Sequence, residues 1–309
     1  MGQSPLGVSL AASHHRSALT PAHALLTLAV MLVWGTNFVV IKIALGHLPP
    51  LFFATLRFFF VAFPLVFVLK RPNLPWARLA AYGVLIGGGQ FGFLFVAMKS
   101  QISPGLASLV VQVQAFFTIG LSMWFTGEKV RPFQWAALAL AVLGLGVILE
   151  HTGGDATPLG LLLVVLAALS WAGGNTVQRA DRPANMLAYV VWSALFAVPP
   201  LFILSLAFEG WPAIVHGFED ADALTWAAVI YQSVGNTMFG YGSWGYLLSR
   251  YPAATVSPTA LLVPVFGMGA STWFLGESLP AWKIVAAVLV MSGLTLNVFW
   301  PMLRRPAAA

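Results

Sequence analysis

The apolar stretches of this 309-residue chain contain few polar side chains, and those few must carry whatever chemistry happens inside them. Asn37 stands in "VWGTNFVVIK" (33–42) and Asn175 in "SWAGGNTVQR" (170–179), each after a tryptophan and before a cation. Gln90 stands in "GGGQFGF", and Gln112 and Gln114 in "VVQVQAFF". A carboxamide offers two donors and an acceptor, which suits the carboxylate and ammonium of a zwitterion. The same groups also bond one helix to another, for roughly 0.6 kcal/mol per pair in a membrane. Helical geometry points positions 112 and 114 about 200° apart, so one is expected to line a pathway while the other packs between helices. Arg57 in "TLRFF" is the one clear charge inside an apolar run. It suits a bidentate grip on a carboxylate, but its place near the run's end favours snorkelling outward or anchoring helix ends. Trp34, Trp171, Trp192, Tyr241 and Trp244 are candidate walls or gates, against the commoner fate of aromatics in interfacial belts. Trp171 and Trp244 stand apart because small or polar residues surround them.

Absences narrow the chemistry. The chain has no cysteine, its histidines (14, 15, 23, 47, 151 and 216) fall at the terminus or in loops, and no Asp or Glu lies deep in an apolar run. Thiolate metal sites and histidine-assisted nucleophiles therefore lack their parts, and Ser271 in "GAS" reads as a small packing residue. No glycine loop followed by lysine is present to cradle a nucleotide. No catalytic residue, metal or cofactor is expected. Proton-coupled carriers commonly use buried carboxylates or histidines, so any solute movement is expected to be largely uncoupled and to suit zwitterionic or uncharged solutes.

The elements that must position these residues follow from composition. Hydrophobic residues make up 59% of the chain and charged residues 8%, with mean hydropathy +0.87, whereas soluble domains carry roughly 25% charge. Ten runs reach the roughly 20 residues needed to cross a bilayer as helices: 24–45, 50–69, 77–98, 103–126, 132–150, 158–178, 186–208, 223–248, 252–275 and 280–300. Their apolar residues are continuous rather than alternating, which argues against a β-barrel and for helices that satisfy their own backbone in lipid. Between these runs, one side receives Arg16, Lys70, Arg71, Arg78, Lys129, Arg131, Arg179, Arg182, Arg250, Arg304 and Arg305. The other receives only Lys42, Lys99 and Lys283, together with Glu150, Asp155, Glu209, Glu219, Asp220, Asp222 and Glu277. The positive-inside rule puts both termini in the cytoplasm, and the basic residues mark topology rather than a nucleic-acid surface.

The chain also repeats itself. "WFTGE" (124–128) returns as "WFLGE" (273–277), 149 residues on, and an ungapped match of 100–148 onto 249–297 holds thirteen identities, including Ala137/Ala286 and Gly144/Gly293. Asn37 and Asn175 form a weaker second echo. Two halves of five runs each must enter the membrane from opposite sides, which is the inverted-repeat plan of alternating-access carriers. The expected class is an all-α polytopic membrane protein of ten transmembrane helices in two inverted five-helix repeats, 24–150 and 158–300. Tails at 1–23 and 301–309 and an external linker at 151–157 complete the chain. The glycine-rich runs 86–92 and 234–242 nearly coincide under the repeat and suit close helix packing or flexible backbone. Pro252, Pro258 and Pro264 should break the ninth run beside a binding site, freeing carbonyls that need partners.

The stretches at 33–64, "GLASLVVQVQAFFTI" (105–119), "SWAGGN" (170–175) and "LLVPVFG" (261–267) resemble the EamA family of the drug/metabolite transporter superfamily. "YGSWGYLLSRY" (241–251) and "NVF" (297–299) are similar to its O-acetylserine/cysteine-exporting subgroup. The resemblance covers nearly all of 24–300. It implies a bacterial inner-membrane protein exporting amino acids or related metabolites, although drugs, purines and sugar derivatives are cargoes of the same superfamily. Its partners would be a small-molecule substrate and the lipid bilayer, as a monomer or homodimer. A channel remains the more distant alternative.

Overall fold

The computed structural model describes residues 19–126 and 131–303. Helix follows helix: α1 (Pro21–Ala44), α2 (Pro50–Ala62), α3 (Trp76–Gly83), α4 (Gly92–Ser100), α5 (Pro104–Val110), α6 (Gln114–Thr126), α7 (Pro132–Glu150), α8 (Pro158–Asp181), α9 (Met186–Phe208), α10 (Trp211–Asp220), α11 (Ala223–Ile230), α12 (Gly240–Arg250), α13 (Ala253–Val256), α14 (Leu262–Leu275) and α15 (Ala281–Leu303). Proline opens α1, α2, α5, α7 and α8, where its missing N–H costs nothing. Side chains of Thr20, Thr157, Asn185 and Asp222 cap α1, α8, α9 and α11. The bonds that Asp222 accepts from Thr225 hold its carboxyl below the usual range. Among the described residues the one β-type pairing is an isolated bridge between Ile102 and Ala156.

Nine helical runs among the described residues are long and apolar enough to cross a membrane. The run from Ala223 to Arg250 is not one of them, because Gln232, Ser233, Asn236 and Thr237 interrupt its apolar sequence. Four runs are discontinuous. π-Helical segments join α3 to α4 (Val84–Phe91) and α11 to α12 (Tyr231–Phe239). Tighter 3-10 segments join α5 to α6 (Val111–Val113) and α13 to α14 (Ser257–Leu261). The expected break at Pro252, Pro258 and Pro264 is therefore present. The second run ends early, since α2 stops at Ala62 before Pro64 and only a short turn, Leu65–Phe67, follows. Helix α10 lies where a loop was expected, and its Gly217 sits against His47 and Pro49.

The helix ends gather into two faces. At one face, Thr20 and His23 meet Tyr251, the Trp192 indole donates to the Leu69 carbonyl (2.9 Å), and Arg78 and Tyr189 meet Asp181. At the other, Lys99 donates to the Leu45 carbonyl (2.6 Å), and Lys42 to those of Met98 (3.3 Å) and Lys99 (3.1 Å). Two of the three minority cations are thus caps for the carbonyl ends of α1 and α4. The third, Lys283, corrects its sequence reading as a loop cation. It is fully buried, pairing with Asp155 (2.8 Å) and Glu277 (2.9 Å) and donating to the Ser278 carbonyl. Glu277 in turn accepts from Ser103 Oγ and the Gly105 amide (3.0 Å), covering the start of α5.

α2 packs on α9 and α7 on α15, while α1 lies against α14 and α8 against α6. The α7–α15 crossing is reciprocal: Gly144 closes on Ala286 and Val290, and Gly293 on Ala137 and Leu140. A side chain at either glycine would hold the helices apart. Trp124 and Trp273, the tryptophans of the repeated phrase, are 85% and 84% exposed. Gly276 ends α14 at φ 66°, a left-handed position that glycine adopts without strain. Gly127, Glu128 and Lys129 of the first copy lie outside the described residues, as do Arg16, Arg304 and Arg305.

Candidate functional site

The two asparagines of the echo anchor separate hydrogen-bond networks. Asn37 on α1 is seven residues, about 10 Å, from the Ala44 end of its helix. Its Oδ1 accepts from Gln232 Nε2 on the second π-helical segment. Gln232 Oε1 accepts from Arg57 Nη1 on α2 (2.9 Å), and Arg57 Nη2 donates to Thr237 Oγ1 (3.0 Å). Ser233 closes back onto the Arg57 carbonyl (3.1 Å), and Asn236 Nδ2 donates to Gln232 Oε1. The guanidinium lies 3.6 Å from the Phe91 ring centroid, a cation–π contact. All of these polar residues are buried, Arg57 completely.

That burial corrects the sequence expectation for Arg57. It does not snorkel, and it anchors no helix end. A helix stacks residues four apart on one face, whereas the wider π-helical turn adds a residue per turn, so Gln232, Ser233, Asn236 and Thr237 can converge on one arginine. The sequence reading missed these four residues. Their signal was present in "YQSVGNTMFG", a polar run within an otherwise apolar stretch.

The second network is smaller and less buried. Asn175 on α8, six residues from the Asp181 end, donates through Nδ2 to Gln114 Oε1 (3.0 Å). Thr118 Oγ1 bonds the Gln114 carbonyl (2.8 Å). Asn175 and Gln114 are only half-buried. Gln112 takes no part: its Nε2 donates across to the Ala260 carbonyl (3.4 Å). That carbonyl is four residues before Pro264, so it lacks the α-helical amide and accepts instead from the Leu262 N–H of the 3-10 turn. The two glutamines therefore diverge, as the spacing implied.

Gln90 lies buried in the first π-helical segment, and its Oε1 has no protein partner. Trp34 donates to the Asn236 carbonyl (3.2 Å) and packs on Tyr241 and Trp244 at ring separations of 5.7 and 5.3 Å. This cluster joins the Asn37 network, whereas half-buried Trp171 lies on α8 one turn from Asn175. Trp192 is tied to the Leu69 carbonyl and bonds to neither network. Among the described residues no group of three or more metal-ligating side chains occurs.

An apolar helical bundle with buried amide networks, built on interrupted helices, defines a polytopic membrane protein of the solute-handling kind. The chain belongs to the EamA-like transporter family, whose model matches residues 22–150 and again 158–299. It is 44% identical over 289 residues to the probable amino-acid metabolite efflux pump of Salmonella typhimurium, covering 91% of this chain and 96% of that one. It is 43% identical over 281 residues to the protein of the same description in Escherichia coli, covering 89% and 94%. A crystal structure with 19% identity and a TM-score of 0.62 spans 93% of this chain and all of its own, which establishes likeness of fold. The family is described as one of transporters.

Proposed function

We propose that this protein is a secondary transporter of the bacterial inner membrane, exporting amino acids or related small metabolites of the cysteine and O-acetylserine type by alternating access. In this reading ten helices cross the membrane as two inverted five-helix repeats, 24–150 and 158–300, with both termini cytoplasmic. The efflux-pump descriptions of its 44% and 43% relatives support the cargo class. The observation that carries the mechanism is the pairing of interruptions. The π-helical segments begin at 84 and 231, and the 3-10 breaks at 111 and 257, each close to the 149-residue offset of the repeated phrase. Reciprocal packing at Gly144 and Gly293 supports the same internal two-fold relation.

The face bearing Lys70, Arg71, Arg78, Arg131, Arg179, Arg182 and Arg250 is then cytoplasmic. The Lys283–Glu277–Asp155 cluster closes the external face, and half-buried Asn175 and Gln114 are approached from the cytoplasm. Asn175 and Gln114 supply the amide donors and acceptors for a zwitterionic cargo, with Trp171 beside them. Asn37 and Gln112 hold the interrupted helices in register, Gln90 keeps an unpartnered Oε1 available within the first π-helical segment, and Tyr241 and Trp244 wall the space next to the Asn37 network. The breaks at Pro252, Pro258 and Pro264 are the points at which backbone bonding is weakest and rearrangement cheapest. Among the described residues no carboxylate enters either network, so transport runs down the cargo gradient without protons.

Counterflow into proteoliposomes preloaded with cysteine tests this, with labelled O-acetylserine, other amino acids and a nucleoside outside. Saturable accumulation of amino acids alone is the expected result. Accumulation of the nucleoside would reassign the cargo, unitary currents would indicate a channel, and a rate that tracks an imposed pH gradient at fixed cargo gradient would refute uncoupled transport.

A further inference from the structure

Arg57 is a buried cation with neutral partners. Among the described residues no carboxylate lies within ion-pair distance of it; its contacts are Gln232, Thr237 and the Phe91 ring. A buried charge without a counter-charge is among the costliest arrangements in a protein interior, and more so in a membrane. Two of the guanidinium nitrogens are spoken for, but Nε has no hydrogen-bond partner in the protein. A narrow cavity with room for one water-sized guest opens beside Arg57, between α2, the α3 run and α9. Ser193 on α9, 1% exposed, lines the same cavity, and its hydroxyl also has no partner in the protein. Thr237, Tyr82 and Tyr241 are also among the residues that line it.

We propose that this cavity is a binding site for a small monovalent anion, held by Arg57 Nε and Ser193 Oγ. The guest is an atom-sized halide or the leading oxygen of a carboxylate. The first would come from solution and the second from the cargo itself, so this inference rests on the exporter reading only in its second form. The chemistry is shared: a single negative acceptor meets two otherwise unused donors and neutralises a buried cation that has no carboxylate partner among the described residues. Gly83 and Gly87, which also line the cavity, keep α9 close enough to bring Ser193 within reach; a side chain at Gly83 would meet the Ser193 backbone and one at Gly87 would meet Ala197. The site joins α2 to the π-helical segment and α9, so filling it tightens the contact between the two halves of the chain.

The test is thermal unfolding of the full-length protein in detergent micelles, titrated at constant ionic strength with chloride, bromide, formate, L-serine or L-serinamide against isethionate, a monovalent anion too bulky for the cavity. Saturable stabilisation by chloride or bromide identifies a resident halide. Stabilisation by formate and L-serine, and not by L-serinamide, identifies the cargo carboxylate. Ser193→Ala, a mild change, should weaken the effective anion about tenfold, as expected for losing one hydrogen bond to a charge, and Arg57→Gln should abolish its effect. A flat titration of the unaltered protein overturns the proposal, and so does equal stabilisation of the protein and Ser193→Ala. Counterflow separates the two readings: amino-acid counterflow with a flat titration removes the anion site alone, whereas saturable halide binding without counterflow removes the exporter alone.

Discussion

Asn37 and Asn175 stand near the starts of the two stretches that match the family model, yet their surroundings differ. Asn37 is locked to Gln232 and, through it, to a fully buried arginine. Asn175 meets only Gln114 and Thr118, and both it and Gln114 keep part of their surface exposed. The asymmetry teaches that matching sequence does not assign matching roles. In one half the amide is consumed in holding three elements together, and in the other it is available. Under the alternating-access mechanism proposed above, a carrier closed at one face and accessible from the other would have this appearance, because the two halves of an inverted repeat adopt different conformations at any one time.

Substitutions separate the two. The largest effect is expected from Gln232→Leu, which strips Arg57 of an acceptor and Asn37 of its donor in a buried setting. A loss of about 2 to 3 kcal/mol in stability follows, measurable as a lowered unfolding midpoint in micelles; an unchanged midpoint would mean that the Asn37 network is not structural. Glu277→Gln comes next. Lys283 would keep Asp155 and the Ser278 carbonyl but lose its second counter-charge, and the Gly105 amide would lose a charged acceptor. Amide hydrogen exchange over Pro104–Val110 should accelerate about tenfold, corresponding to about 1.4 kcal/mol, with little change near Thr20 or Tyr251 at the opposite face. Asn175→Ala should do the reverse of Gln232→Leu. Stability changes by no more than about 0.6 kcal/mol, while the half-saturating cargo concentration in counterflow rises about tenfold, the cost of one hydrogen bond to a charged group.

Much of this arrangement could be read from the chain alone, for reasons tied to particular residues. Apolar runs of Val, Leu and Phe locate helices because lipid allows few alternatives. The helical run too polar to count among the membrane-crossing candidates, from Ala223 to Arg250, is the one carrying Gln232 and Asn236. The π-helical segments could not be foreseen, since a change in turn width leaves no compositional mark beyond the glycine runs at 86–92 and 234–242. Arg57 was misread because its depth was judged along one helix, whereas its burial depends on α2 facing the π-helical segment around Gln232 and Thr237. Lys283 looked like a loop cation for the same reason. Its partner Asp155 is more than a hundred residues away, and only the folded chain brings them to 2.8 Å.

The smallest effect is also the most diagnostic of how the interruptions work. Pro264 deprives the Ala260 carbonyl of its α-helical partner and leaves it the Leu262 amide of the 3-10 turn, and Gln112 reaches across from the other interrupted run to add a second donor at 3.4 Å. The bond is long, so Gln112→Leu should cost only about 0.6 kcal/mol and leave the half-saturating cargo concentration within about twofold. Pro264→Ala restores an amide four residues after Ala260 and makes the Gln112 bond redundant. In the double variant the Gln112→Leu penalty should therefore vanish, a coupling that a double-mutant cycle on unfolding midpoints reads directly. Additive losses would show that the glutamine is not serving the broken backbone. A tenfold rise in half-saturation from Gln112→Leu, with none from Asn175→Ala, would exchange the roles assigned to the two amides and move the cargo toward the Asn37 side of the bundle.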